Sequence, residues 1–63
     1  MNLKTVGELI RARRVALGLS QAQLANLAKL SRTTINLLES GSLNDLGVVK
    51  AMHMMNLLGL ILK

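Results

Sequence analysis

The chain has 63 residues, 51% of them hydrophobic, with no Phe, Trp, Tyr, Pro or Cys, and eight Lys/Arg against three acids for a net charge of +5. That length allows one domain at most, and the absence of cysteine excludes disulfides and every thiolate metal site. The positive balance favours an anionic partner, nucleic acid or a lipid surface, while the lack of aromatic rings counts against single-strand binding by base stacking.

A chain this short buries only roughly 60% of the surface its unfolded form exposes. Stability must then come from good helix packing, oligomerisation or both. Without proline nothing forbids helix, and the apolar content argues against disorder, so the expected class is all-α. His53 is the lone histidine and cannot build a zinc site with so few, scattered acids. It reads as a helix residue, and no metal or cofactor is expected. Met1 to Lys4 is not followed by an apolar run of signal-peptide length. The apolar stretch from Ala51 to Leu62 is broken by His53 and Asn56 and is too short to span a bilayer. The expectation is a cytoplasmic protein with no membrane segment.

Thr5-Val6-Gly7-Glu8 matches a capping box with Thr5 as N-cap. Val6, Leu9, Ile10 and Leu17 then fall near one face, and Gly18 suits the left-handed stop. This predicts helix 1 over 5–17. Ser20-Gln21-Ala22-Gln23 is a second capping box, and Leu24, Leu27 and Ala28 follow at helical spacing, predicting helix 2 over 21–28. Ser31 starts helix 3 over 32–39, with Ile35 and Leu38 apolar and Gly41 as stop. Asn44 or Asp45 caps helix 4 over 45–58, with Gly47 in its first turn, an apolar face of Val48, Val49, Met52 and Met55, and Gly59 at its end. Met54 is expected to face away from Met52 and Met55. Residues 1–63 thus read as a single domain, with no further domain expected after helix 4.

Helices 2 and 3 are separated only by Lys29-Leu30-Ser31, which forces a steep crossing. A close crossing needs a small residue, and Ala25 stands there, with Leu24, Leu30, Ile35 and Leu38 filling the angle. This is the helix-turn-helix layout, in which the second helix enters the DNA major groove. At 100° per residue, with Ile35 and Leu38 inward, Thr33 and Ser40 point outward. Asn36 and Leu37 flank them, and Arg32 lies at the edge. Arg, Thr and Asn side chains donate and accept hydrogen bonds as base edges require.

Leu17-Gly18-Leu19-Ser20-Gln21, Leu24-Ala25, Ser31-Arg32-Thr33-Thr34-Ile35 and Leu38-Glu39-Ser40-Gly41, with Arg11-Ala12-Arg13-Arg14 before them, resemble the phage Cro/CI-repressor (XRE) family. The resemblance covers about 6–60. It implies a compact, lambda-repressor-like domain of four to five helices that binds two-fold operator DNA as a homodimer. It also implies base contacts for Arg32, Thr33 and Asn36, and a phosphate contact for Gln21, which can support the recognition helix. Ser40 would meet the DNA backbone, and Arg14 and Glu39 would form an ion pair tying helix 1 to the end of helix 3. Lys29 stands where the family has glycine, so positive φ there costs roughly 1 kcal/mol. Leu37 stands where relatives are polar. Either it touches a thymine methyl or it lies outside the contact zone.

Ser20 and Ser31 are N-caps first, with DNA-backbone contact secondary. Arg11 is a backbone-contact candidate, and Arg14 keeps donors for a phosphate, although Arg11 and Arg13 also fit a plain solvated face. The methionines read as core or dimer-interface filler, and Leu58, Leu60, Ile61 and Leu62 as a dimer surface. No enzyme is expected, since Glu8 and Asp45 are taken as caps and Glu39 as an ion-pair partner. Three readings compete: a sequence-specific DNA-binding regulator, a repressor; an antitoxin or protein-interaction module whose fold docks a partner such as a toxin; and a cationic amphipathic peptide at membranes.

Overall fold

The computed structural model describes residues 2–59. Four helices, α1 (Leu3–Ala16), α2 (Gln21–Ala28), α3 (Arg32–Ser40) and α4 (Val48–Leu57), follow one another with short connections. There is no strand among the described residues. The fold is all-α.

Helix α1 begins two residues earlier than the capping-box pattern predicts. Asn2 is extended (φ −94°, ψ 168°), and its Oδ1 accepts from the Thr5 amide at 2.8 Å. Thr5 is therefore inside the helix, not its cap. Asparagine caps at least as well as threonine, and the earlier start packs Leu3 against the core. Val6 and Ile10 are buried as the periodicity predicts, whereas Leu9 and Leu17 stay largely exposed.

The ends of α1, α2 and α3 share one backbone device. Leu19 N–H donates to Arg14 O, Leu30 N–H to Ala25 O and Ser42 N–H to Leu37 O, at 3.0, 2.9 and 2.9 Å. Inside each of these bonds the preceding residue, Gly18, Lys29 or Gly41, donates back to Val15, Asn26 or Leu38. These are Schellman closures, which require a left-handed residue. Lys29 supplies it at φ 57°, ψ 41°, the lone non-glycine with positive φ among the described residues. The turn thus keeps the glycine-type shape despite the lysine.

The core is built from Val6, Ile10, Leu24, Ala25, Ala28, Ile35, Leu38, Leu46, Met54 and Leu58. Helix α3 packs on α1 and α2, and α4 closes the other side against both. Gly7 is buried where α1 crosses α3, and a Cβ there would overlap the Leu38 carbonyl oxygen. The glycine therefore allows a close backbone approach.

Helix α4 departs most from its sequence pattern. It starts at Val48, not 45, on Gly47 with φ 85° and ψ 142° and no side-chain cap. Asp45 instead accepts from the Gly47 amide at 3.0 Å, closing the loop before the helix. The inward face is Ala51, Met54, Met55 and Leu58; Val49 is 81% and Met52 51% exposed. Met54 is a fully buried core residue, contrary to the expected phase. Buried Leu46 just ahead of α4 helps anchor that phase. Leu58, expected on a dimer surface, is instead buried in the core because it shares the inward face with Met54 and Met55. The expected side-chain role of Val48 and the expected surface of Leu60, Ile61 and Leu62 lie outside the described residues.

Candidate nucleic-acid interface

Ser20 and Ser31 set where α2 and α3 begin. Ser20 Oγ accepts from the Gln23 amide at 3.0 Å, and Gln23 Oε1 accepts from the Ser20 amide at 2.8 Å, a reciprocal capping box. Ser31 Oγ accepts from the Thr34 amide at 3.1 Å and shares a hydrogen bond with Thr34 Oγ1 at 2.9 Å. Ala25 is buried at the crossing, and Leu24, Ile35 and Leu38 fill the angle, with Leu30 half-buried beside them.

With Ile35 and Leu38 anchored in the core, Arg32, Thr33, Asn36, Leu37 and Ser40 all lie exposed on α3. Ser40 Oγ lies 3.1 Å from Leu37 O and 3.2 Å from Ser42 Oγ, so its hydroxyl is engaged in its own turn. Arg11, Ser20 and Ser31 are exposed too.

Behind this face sits a buried polar cluster. Arg14 Nε donates to Glu39 Oε2 at 2.7 Å, and Nη2 donates to Oε1 at 2.9 Å, a side-on bidentate pair. Arg14 Nη1 donates to Leu19 O at 2.7 Å, and Gln21 Nε2 to Glu39 Oε1 at 3.2 Å. The two charged side chains are 13% and 2% exposed. One cluster thereby ties α1, the start of α2 and the end of α3 together. Three of the five guanidinium N–H groups are used within the protein, which leaves two.

Burial pushes the Glu39 carboxyl up, but hydrogen bonds from Arg14 and Gln21 and the charges of Arg14 and Arg11 outweigh it. The net result lies below the usual carboxylate range. The hydrogen bond to Glu39 raises Arg14 further, against a smaller effect of burial. Glu39 is thus a carboxylate whose charge is matched where it stands. Arg11 lines a shallow depression with Glu8, Ala12, Val15 and Glu39.

Arg13 is engaged in another way. Its Nε donates to Leu58 O at 2.8 Å, so a cation closes the C-terminal end of α4. The two residues are 45 apart in sequence, and no local pattern announces the contact. The packing role of Gly7 was equally hidden. A glycine within an otherwise helical run is the signal for it.

A family model described as a helix-turn-helix domain matches residues 5–59. The chain belongs to that family. It is a helix-turn-helix DNA-binding domain, and α2 and α3 form its motif. No curated protein and no solved structure matches it. No helix among the described residues is long and apolar enough to cross a membrane.

Proposed function

We propose that this protein is a transcriptional regulator of the Cro/CI type, a repressor that reads operator DNA in the cytoplasm with α3 in the major groove. The observation that carries this is the face of α3: Arg32, Thr33, Asn36 and Leu37 are outward, while the helix's own acid is buried against Arg14. A free carboxylate there would repel phosphates; this one is neutralised. Arg32, Thr33, Asn36 and Leu37 meet base edges. Arg11, the two remaining N–H groups of Arg14, Ser20, Gln21, Ser31 and Ser40 are the DNA-backbone contacts.

One short helix reads few bases, so the protein acts as a homodimer on a two-fold site, with the two copies of α3 about 34 Å apart. The outward Val49, Met52 and Leu57 of α4 support such an interface. They also favour a second reading, in which this surface docks a different protein, as an antitoxin docks its toxin. Selection of bound duplexes from a random pool tests the first reading. Recovery of a two-fold sequence, with affinity falling steeply as salt rises, supports it. Recovery of no preferred sequence contradicts it. Sedimentation as a monomer at high concentration, with selected sites lacking symmetry, would remove the dimer. A stable hetero-complex with the product of a neighbouring gene would favour the second reading.

A further inference from the structure

The outward face of α3 is chemically divided. At 100° per residue, Asn36 and Leu37 lie about 50° to either side of the outward direction, with Thr33 near its centre. Arg32, four residues before Asn36, extends the hydrogen-bonding flank. Thr33, four residues before Leu37, gives that flank a γ-methyl beside the leucine methyls. Leu37 is 38% exposed and is not part of the core, which α3 fills with Ile35 and Leu38. Its side chain is an apolar group on a face otherwise made of Arg, Thr, Asn and Ser.

A base pair in the major groove is divided in a corresponding way. An adenine or guanine offers N7 with N6 or O6 on its own strand, and a thymine offers its 5-methyl on the other. Arginine and asparagine make bidentate contacts to guanine and adenine, while an apolar side chain meets the thymine methyl. A helix lying in the groove with two unlike flanks turns one toward each strand.

Resting on the DNA-binding reading above, we propose that α3 reads its half-site asymmetrically between the strands. Arg32 and Asn36 take purines on one strand, and Leu37 with the Thr33 methyl takes thymine 5-methyl groups on the other. Leu37 is then a specificity-determining residue, and the half-site holds at least one A·T pair whose thymine lies on the Leu37 strand.

Replacing thymine by deoxyuridine removes the methyl and leaves the pairing edge intact. Duplexes recovered from a random pool by the full chain are rebuilt with deoxyuridine in one strand of each half-site at a time. The expected result is a loss of about three- to fivefold per contacted methyl in one strand, the factor that burying one such group carries, and none in the other. Leu37→Gln and, to a lesser degree, Leu37→Ala should shrink the difference between the thymine and deoxyuridine duplexes to what the Thr33 methyl contributes, whereas Leu37→Met should retain it. Leu37 is exposed, and thermal melts of each variant confirm that the fold is kept. An equal deoxyuridine penalty in the wild type and in Leu37→Ala, a penalty on both strands or on neither, or a recovered half-site without thymine overturns the proposal while leaving DNA reading intact. Failure to recover any preferred duplex overturns the DNA-binding reading itself.

Discussion

The segment from Ser20 to Gly41 and the segment from Ser42 to Leu58 each end in a helix packed on the same core, but their positions are fixed by different means. In the first, both helix starts carry a serine cap and both ends a Schellman closure. A bidentate ion pair then locks α3 to α1. In the second, α4 has no side-chain cap at its start, and contacts from elsewhere hold it: Leu46, Met54 and Leu58 in the core, and Arg13 on its last turn. The element that would read DNA is positioned by local punctuation plus a single ionic tie. The element that would carry a partner is positioned by core packing and one long-range hydrogen bond from Arg13.

Removing that tie should have the largest effect. Arg14→Met leaves Glu39 buried and unpaired, which costs about 3–5 kcal/mol, most of the stability a domain of this size has. Urea or thermal unfolding reads the loss. Adding Glu39→Met should recover the fold without recovering DNA affinity. The ion pair also sets a pH dependence. Glu39 titrates lower in the folded state than in the unfolded one, so its contribution is present above the unfolded carboxylate value and disappears as pH falls through the folded one. Acid titration of stability should show this step in the wild type and lose it in the double variant.

On α4, Met54→Ala should cost about 2–5 kcal/mol, as removal of a buried side chain does. Met52→Ala should change stability by less than about 0.5 kcal/mol, as exposed substitutions do. Equal effects would mean the helix sits at another rotation. A smaller loss, about 1–3 kcal/mol, is expected for Gly7→Ala. The new methyl group meets the Leu38 backbone, and the gain in helix propensity does not offset that. One small change has the opposite sign. Lys29→Gly relieves the left-handed lysine and should raise the midpoint of thermal unfolding by a few degrees, since about 0.5 kcal/mol remains after glycine's extra unfolded freedom is subtracted.

The two segments were also unequally legible. Serine caps, closing glycines and the three-residue turn are local signals, so the limits of α2 and the start of α3 follow from the sequence. The capping-box pattern points to Thr5 alone and misses Asn2 as the cap of α1; the packing of Leu3 against the core goes with the earlier start. Around α4, Lys50, His53 and Asn56 mark an outward face, but Val49 and Leu57 stand among them, so reading the phase from the apolar residues alone missed the burial of Met54. The outward face of α3 followed from a rotation of 100° per residue because Ile35 and Leu38 give one clear inward direction. The Arg13 bond to Leu58 is long-range and left no local trace, and the α1–α3 approach at Gly7 left only the glycine itself inside a helical run.

The proposed function stands on base reading by α3, held by the Arg14–Glu39 pair. Its most direct test compares wild type and Arg32→Ala on two duplexes of equal length, one recovered by selection and one unrelated, at a fixed salt concentration. The variant should lose about 1–3 kcal/mol on the selected duplex and little on the unrelated one, with relaxed sequence preference. An equal loss on both duplexes would reduce Arg32 to a phosphate contact, and no loss on either would contradict the placement of α3 in the groove.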